Sequence, residues 1–127
     1  MPFEWTMYLR LAEELASRPD EAAKRTAISR AYYFVFNIAF ARAESTAGRC
    51  PVNEGRHAWC WNKYIQSPDI DCKQLGNDGD RMKRRRAEAD YVESTKVNLD
   101  EQVRLMLIEA HRFEARLAAL PARFPRP

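Results

Sequence analysis

The sequence lacks any long hydrophobic run, because no stretch of about 18 apolar residues is free of charged side chains. No membrane-spanning helix is therefore expected. The first ten residues, MPFEWTMYLR, do not place an apolar segment after a basic one. We accordingly expect no secretory signal and predict a cytoplasmic protein. Net charge is also small, since 21 Lys and Arg residues against 18 Asp and Glu residues leave only +3. This balance does not by itself indicate a nucleic-acid-binding protein, although it leaves room for a local basic patch.

Cysteine is scarce, and the three that occur, Cys50, Cys60 and Cys72, show no CxxC spacing. An odd number of widely spaced cysteines in an intracellular protein indicates free thiols. With His57 they would make up a Cys-His-Cys-Cys set, in which His57 and Cys60 are one helical turn apart. The other two cysteines fall in predicted loops, so we expect no zinc site, and no other metal or cofactor.

Alternation of apolar and polar residues at period two is missing as well, so no strands are expected. The 127 residues suit one domain with a real core, and 46% apolar residues are typical of a soluble globular protein. We predict an all-α, up-down bundle of four to five helices over residues 1–120. Residues 121–127 read PARFPRP, with three prolines in seven. This tail is predicted to be frayed or extended.

The stretch from residue 25 to residue 42, RTAISRAYYFVFNIAFAR, contains neither glycine nor proline. Its eighteen residues make about 27 Å of helix. Apolar side chains lie nearly all round it, which predicts a central and buried helix. Asp20 is a suitable N-cap for this helix, which is predicted to continue to about Thr46.

Polar residues interrupt this helix at Arg30 and Asn37, seven residues apart, with Tyr33 beside them. All three fall on roughly one line along the helix. Two interpretations remain open. The line is either a polar seam that is satisfied internally or by solvent, or the wall of a polar groove.

Four further helices are indicated by the rest of the chain. The first begins at Pro2 and repeats Phe3, Met7, Leu11 and Leu15 at a spacing of four. A loop over residues 47–56 leads to a short aromatic helix over 57–66. A helix from about residue 69 to residue 89 is weakened by Gly76 and Gly79. The last helix is capped by Asn98 and ended by Pro121.

Aromatic residues are concentrated in the middle of the chain. Trp59 and Trp61 are two apart in the short helix, so we expect only one to face the core and the other to lie at an interface. With Phe36 and Phe40 they exceed what so small a chain is expected to bury. This excess predicts a homodimer.

Residues 81–86, RMKRRR, contain five basic residues in six. On a helix they wrap around the axis and do not form one face. Solvated charge is the usual explanation of such a run, and neutralisation of RNA phosphates is the functional one. Arg84 and Arg85 are accordingly candidate nucleic-acid-binding residues, next to Arg86.

Two stretches resemble one known family. The segment AISRAYY at 27–33, followed by Phe36 and Asn37, resembles the SRAYY…F helix of small bacterial and archaeal HEPN-domain proteins. Arg86-x-x-Ala89-Asp90-Tyr91 resembles the R-x-x-A-D-Y signature of the same branch. A single histidine between the two motifs also fits, and here it is His57. The resemblance covers roughly residues 10–118 and implies an up-down helical bundle that forms homodimers.

The resemblance also implies a function. Many HEPN domains are metal-independent ribonucleases, often toxins paired with a minimal nucleotidyltransferase. Such cleavage needs a base for the 2′-OH and a cation near the phosphate, and arginine supplies a permanent charge in a planar fork. Candidate catalytic residues are then Arg86, Asp90 and Tyr91. Candidate RNA- or nucleotide-binding residues are Arg30, Tyr33, Asn37, His57, Arg84 and Arg85.

The sequence departs from the family's catalytic motif, an arginine followed after four to six residues by histidine. Four residues separate Arg86 from Tyr91, so a tyrosine stands where the histidine is expected, and tyrosine is a poor base at neutral pH. Asp90 is closer to an ionised acceptor but sits one residue early. Two functions stay open. One is a ribonuclease toxin of a toxin–antitoxin or defence system with a degenerate motif. The other is a non-catalytic dimer that binds RNA, a nucleotide or a nucleotidyltransferase partner.

Structural roles are equally open for these residues. An Arg86–Asp90 pair at i, i+4 is ordinary stabilisation of a helix surface, and His57 suits a capping or hydrogen-bonding role. The functional hypothesis makes the sharper prediction. Arg86, Asp90 and Tyr91 should converge with Arg30 and Asn37 in one polar cleft near a two-fold axis.

Overall fold

The computed structural model describes residues 2–93 and 98–126, and these ranges contain helices and no strand. The helices are α1 (Thr6–Ala16), α2 (Glu21–Ala47), α3 (Arg56–Ile65), α4 (Ile70–Tyr91) and α5 (Leu99–Ala119). The predicted all-α class and helical bundle are thereby confirmed. No helix within the described ranges is long and apolar enough to cross a membrane.

Side-chain caps fix three of the helix starts. The carboxylates of Asp20 and Asp69 and the amide oxygen of Asn98 each accept the backbone N–H three residues on. Each cap satisfies one of the amide groups that a helix start leaves unpaired. The predicted caps Asp20 and Asn98 are therefore confirmed. The first helix has no such cap and begins at Thr6, four residues later than Pro2.

The centre of the bundle is α2, which packs against each of the other four helices. Nearly half of its side chains are buried, and its buried face extends almost all round the axis. The predicted central helix is confirmed, and it ends at Ala47, next to the predicted Thr46. Every other element is positioned by its contact with α2.

The four-residue repeat of α1 does not form the inward face of this helix. Leu9 and Ala12 are the buried residues of α1, whereas Phe3, Met7 and Leu11 are exposed. Two apolar stripes run along α1. The four-residue repeat is the more regular one, but the stripe with Leu9 and Ala12 is the one that packs on α2. A stripe of exposed apolar side chains therefore remains on the outside.

Close packing of α3 on α4 explains the two glycines that were expected to weaken α4. The helix runs unbroken through Gly76 and Gly79, and both are buried. A Cβ atom at Gly79 would lie 2.2 Å from Cζ3 of Trp61, and one at Gly76 would lie 2.8 Å from the backbone nitrogen of Ile65. Glycine is thus required here for the approach of α3, and tertiary packing outweighs its low helix propensity.

Both tryptophans of α3 are buried inside the chain, which contradicts the prediction that one of them lies at an interface. Trp61 packs edge-on against Phe113, and Trp59 packs edge-on against Phe40. The two side chains are covered from different helices, Trp59 by α2 and Trp61 by α4 and α5. Phe36 and Phe40 are buried as well. The aromatic argument for a homodimer therefore fails, and the dimer rests on the family resemblance alone.

The proline-rich tail is packed on the bundle, so the prediction of a frayed or extended tail is wrong for its described residues, 121–126. Arg42 on α2 donates hydrogen bonds to the carbonyls of Leu117 (2.6 Å), Leu120 (3.0 Å), Pro121 (2.8 Å) and Phe124 (2.8 Å). Pro125 is fully buried, and its carbonyl accepts a hydrogen bond from Thr46. One guanidinium therefore closes the end of α5 and holds the tail against α2.

Candidate functional site

Arg86, near the end of α4, has its guanidinium enclosed by tyrosine rings. Its Cζ atom lies 5.6 Å from the ring centre of Tyr32, 5.5 Å from that of Tyr33 and 5.8 Å from that of Tyr91. Only 11% of the side chain is exposed, and Nη1 lies 3.4 Å from a carboxylate oxygen of Asp90. Burial acts to lower the pKa of Arg86, but Tyr33, Asp90 and Tyr91 outweigh it and raise the pKa. The cation is thus held by aromatic faces and one carboxylate.

The Arg86 side chain is incompletely paired within the described part of the chain. Its Nε atom is buried and has no hydrogen-bond partner there. A buried donor without a partner costs about 1–3 kcal/mol. The tyrosine faces around the guanidinium offset part of this cost. An acceptor at Nε would remove this cost and make the folded chain more stable. The contacts of Arg86 are therefore not optimised for the stability of a salt bridge alone.

Arg30 joins Arg86 at the ring of Tyr33. Its Cζ atom lies 4.9 Å from the centre of that ring and 4.8 Å from that of Tyr8 on α1. Arg30 Nη2 donates to Ser29 Oγ (3.4 Å), and Ser29 Oγ donates to Asp90 (3.3 Å). These contacts connect α2 to the last turn of α4. We call this group the arginine–tyrosine cluster; its members are Ser29, Arg30, Tyr33, Arg86, Asp90 and Tyr91.

The arginine–tyrosine cluster carries an excess of positive charge. Asp90 is its one carboxylate, and it already contacts Arg86. Arg30 takes part in none of the ion pairs formed among residues 2–93 and 98–126. Two guanidinium groups against one carboxylate leave one positive charge to be balanced by solvent or by an anion.

The structure brings most, but not all, of the predicted cleft residues together. Arg30, Tyr33, Arg86, Asp90 and Tyr91 share the arginine–tyrosine cluster, as expected. In contrast, the side-chain amide of Asn37 donates to the backbone carbonyl of Tyr33 (2.7 Å), four residues earlier on α2. Asn37 is therefore satisfied within its own helix and forms no contact with Arg86 or Asp90.

The basic run is largely neutralised by neighbouring carboxylates. Arg84 pairs with Asp80 at 3.1 Å, and Arg85 pairs with Glu109 of α5 at 2.8 Å. Arg81 pairs with Asp78 and Glu109. Arg84 and Arg85 therefore lie outside the arginine–tyrosine cluster, despite their place in the sequence. Lys83 is the only member of the run that forms no ion pair within the described ranges.

His57 lies next to the arginine–tyrosine cluster and takes part in a series of hydrogen bonds with Tyr32 and Trp61. The sequence motifs do not predict this series. Trp61 Nε1 donates to the hydroxyl of Tyr32 (3.1 Å), whose oxygen lies 2.6 Å from Nδ1 of His57. Because indole only donates, the Tyr32 hydroxyl accepts from Trp61. The direction of the bond between Tyr32 and Nδ1 follows the tautomer of the imidazole. The imidazole also stacks on Phe36 with ring centres 3.9 Å apart.

The surroundings of His57 disfavour its charged form. Burial, followed by the positive charges of Lys83, Arg86 and Arg56, lowers the pKa of His57 to about 4. At neutral pH the ring is therefore uncharged, and its Nδ1 is hydrogen-bonded to Tyr32. Burial also raises the pKa of Tyr32, so this hydroxyl keeps its proton. His57 is held as a hydrogen-bonding group, and it is not arranged as a general base.

The pKa of His57 is lower in the folded chain than in the unfolded chain, so the stability of the fold depends on pH. Between pH 6.5 and about 4 the unfolded chain protonates His57 while the folded chain does not, so stability falls as pH falls through this window. We expect His57→Asn to remove this part of the acid sensitivity. Urea unfolding at several pH values measures it. Equal slopes for both proteins between pH 6.5 and 4 would contradict the assignment.

Arg25 fixes the position of Asp90 and Tyr91, although nothing in the sequence motifs marks it. From the start of α2 its guanidinium donates to the carbonyls of Ala89 (3.0 Å), Val92 (2.6 Å) and Glu93 (3.3 Å). These are carbonyls at the C-terminal end of α4, which has no basic residue of its own in the last turn. The cluster is thereby anchored to α2 at two levels, by Arg25 and by Ser29.

The thiols show no sign of a metal site. Cys60 and Cys72 are buried and Cys50 is half-buried, and none of them forms a disulfide within the described residues. Burial raises the pKa of both buried thiols, which keeps them protonated. No group of three His, Cys, Asp or Glu side chains in the described ranges lies close enough to hold a metal ion.

Comparison with known proteins returns no relative for this chain: no family model, no curated protein and no solved structure matches it.

Proposed function

We propose that this protein is a HEPN-like helical protein that binds RNA through the arginine–tyrosine cluster. The observation that carries the proposal is the guanidinium of Arg86, enclosed by three tyrosine rings beside an Arg30 that has no carboxylate partner in the described chain. Family resemblance supplies the ligand class, since the two motifs that carry it contribute every member of the cluster. Fixed arginine forks next to tyrosine faces suit phosphate and base contacts together.

Binding is better supported than cleavage, because a positioned general base is missing among the described side chains of the site. Tyr91 takes the histidine position of the motif, and tyrosine is a weak base at neutral pH. His57 has its Nδ1 hydrogen-bonded to Tyr32, and its ring is stacked on Phe36. Asp90 is engaged by Arg86 and Ser29. A metal-independent ribonuclease remains the second hypothesis, and it would need Asp90 to release one of these partners.

Partners are proposed on the resemblance alone. A homodimer and a minimal nucleotidyltransferase antitoxin both stay predictions. If a dimer forms, it can bury the exposed side chains of Phe3, which precedes α1, and of Met7 and Leu11 on α1. Sedimentation at micromolar concentration tests the dimer, and a monomer would contradict it.

Replacement of either arginine of the cluster should weaken RNA binding. Removal of a charged hydrogen bond to phosphate costs about 1.5–3 kcal/mol, so Arg30→Gln and Arg86→Gln should each raise Kd by roughly ten- to a hundredfold. Fluorescence anisotropy of a labelled single-stranded RNA measures Kd, and gel analysis of the same RNA reports cleavage.

The two variants separate binding from folding. Only 11% of the Arg86 side chain is exposed and it is ion-paired, so Arg86→Gln is expected to lower the melting temperature too. Arg30 has ring contacts but no ion pair, so Arg30→Gln should lower it much less. Loss of binding in Arg30→Gln with only a small change in melting temperature supports the proposal. A wild-type protein without affinity for RNA, together with a large stability loss in Arg86→Gln, would reduce the cluster to a structural role.

A further inference from the structure

We propose that the RNA site extends along α2 from the arginine–tyrosine cluster to a second cationic group, Arg56 and Lys83 beside His57. The ligand would then be a single-stranded segment of several phosphates and not a mononucleotide. The inference rests on the proposed function and specifies its ligand. It concerns Arg56, which neither the sequence motifs nor the resemblance single out, and Lys83, which the sequence marks only as one member of the basic run 81–86.

An aromatic line on α2 connects the two groups. Tyr33, Phe36 and Phe40 follow one another at helical spacing, and cations lie over both ends of the line. Arg30 and Arg86 lie over Tyr33. At the other end, Cζ of Arg56 lies 4.4 Å from the ring centre of Phe40 and 6.0 Å from that of Phe36.

Lys83 approaches the same region from α4. It precedes Arg86 by three residues, so the two side chains lie on one side of that helix. The charges of Lys83, Arg86 and Arg56, after burial, are what lower the pKa of His57. Two cations of α4 and one of α3 are therefore close enough to His57 for their charges to act on its imidazole.

These cations are not neutralised by the acids around them. Neither Arg56 nor Lys83 belongs to any ion pair found in the described chain. Two acids, Glu44 and Glu54, line the same surface depression as Arg56, and neither of them forms an ion pair with it. Glu44 is already engaged by the backbone N–H of Cys50 at 3.0 Å. An unpaired cation held on an aromatic face is available to an anionic ligand.

The separation of the two groups sets the ligand length. Seven residues from Tyr33 to Phe40 correspond to about 10 Å along α2. Phosphates of one strand rise about 3.4 Å each along a duplex axis and lie farther apart in an extended strand, so roughly two to four nucleotides bridge the distance. Tyr91, with 78% of its surface exposed, and the half-buried Tyr33 offer rings on which unpaired bases can stack.

Oligonucleotide length and salt dependence test this extension. We would measure binding of AMP, a dinucleotide and a ten-residue single-stranded RNA to the wild type, to Arg56→Gln, to Lys83→Gln and to the double variant. Arg112→Gln on α5 is the matched control, since it removes the same charge on the opposite α4–α5 surface. Thermal melting confirms that each variant is folded, and both replaced side chains lie at the surface or partly so.

The expected result is that the decamer binds at least tenfold more tightly than the dinucleotide, and that AMP binds weakest. Each variant should flatten the slope of log K against log salt by about 0.7 for the decamer, and Arg112→Gln should not. If Arg30→Gln weakens decamer binding while Arg56→Gln and Lys83→Gln do not, the extension is wrong and the proposed function stands. If the wild type binds none of the three ligands, the proposed function itself fails.

Discussion

Gly79→Ala is expected to lower the free energy of unfolding by about 1–2 kcal/mol, although alanine is the better helix former. The new Cβ would meet three atoms of the Trp61 indole at 2.2–2.5 Å. Overpacking of a rigid, fully buried ring typically costs 1–3 kcal/mol and occasionally more, against a propensity gain of about 1 kcal/mol. The shift of Trp61 would also strain its hydrogen bond to Tyr32.

Urea unfolding followed by tryptophan fluorescence measures this loss. Asn77→Ala is the matched control, because residue 77 is exposed on the same helix and senses helix propensity without the clash. We expect that variant to be neutral or slightly stabilised. A stabilised Gly79→Ala would show that α3 does not approach α4 as closely as described.

Arg42→Ala is expected to cost about 2–4 kcal/mol, the second large loss. Its guanidinium holds four backbone carbonyls at the end of α5 and in the tail. Hydrogen bonds from a charged donor contribute about 1.5–3 kcal/mol each, but the four share one side chain and solvent replaces part of them. Arg42→Lys should recover only part of the loss, because an ammonium group cannot reproduce the planar fork.

Limited proteolysis gives a second measurement of the same effect. Cleavage after Arg123 should become faster in Arg42→Ala, since the tail loses its anchor to α2, and it should stay at the wild-type rate in Arg49→Ala, a change at an exposed residue. Equal cleavage rates in all three proteins would contradict the anchoring role of Arg42.

Local signals in the sequence were sufficient to predict the helices, but they were not sufficient to predict the contacts between helices. The caps Asp20 and Asn98 and the uninterrupted apolar stretch of α2 act within a few residues, so they could be identified directly. The role of Gly79 depends on Trp61, eighteen residues away, and that of Arg42 depends on carbonyls more than seventy residues away. Such contacts carry no periodicity and appear only once the helices are assembled.

The same distinction applies to the site. Arg30, Arg86, Asp90 and Tyr91 could be predicted because two motifs mark them, and the geometry places them in contact. Asn37 was misplaced because its spacing from Arg30 indicates a shared line on the helix but not the rotamer, which turns back to the Tyr33 carbonyl.

The basic run predicts solvated charge or contact with RNA phosphates at Arg84 and Arg85. Their partners, Asp80 and Glu109, are visible only in the folded chain. Conversely, Arg56 and Lys83 become candidate binding residues only because neither forms an ion pair in the described part of the folded chain. In both cases, the distance to the nearest opposite charge decides whether the basic side chain is available to a ligand. This distance cannot be read from the sequence.

The most direct test of the central claim, that the arginine–tyrosine cluster binds RNA, is an NMR titration of the wild-type protein with a ten-residue single-stranded RNA. The Nε–H of Arg86 is buried, so its signal should be protected from exchange and should report on the guanidinium. We expect shifts at Arg86, Arg30 and Tyr33, with none at Arg112. An unchanged Arg86 signal at saturating RNA, or shifts confined to the α4–α5 surface, would contradict the claim.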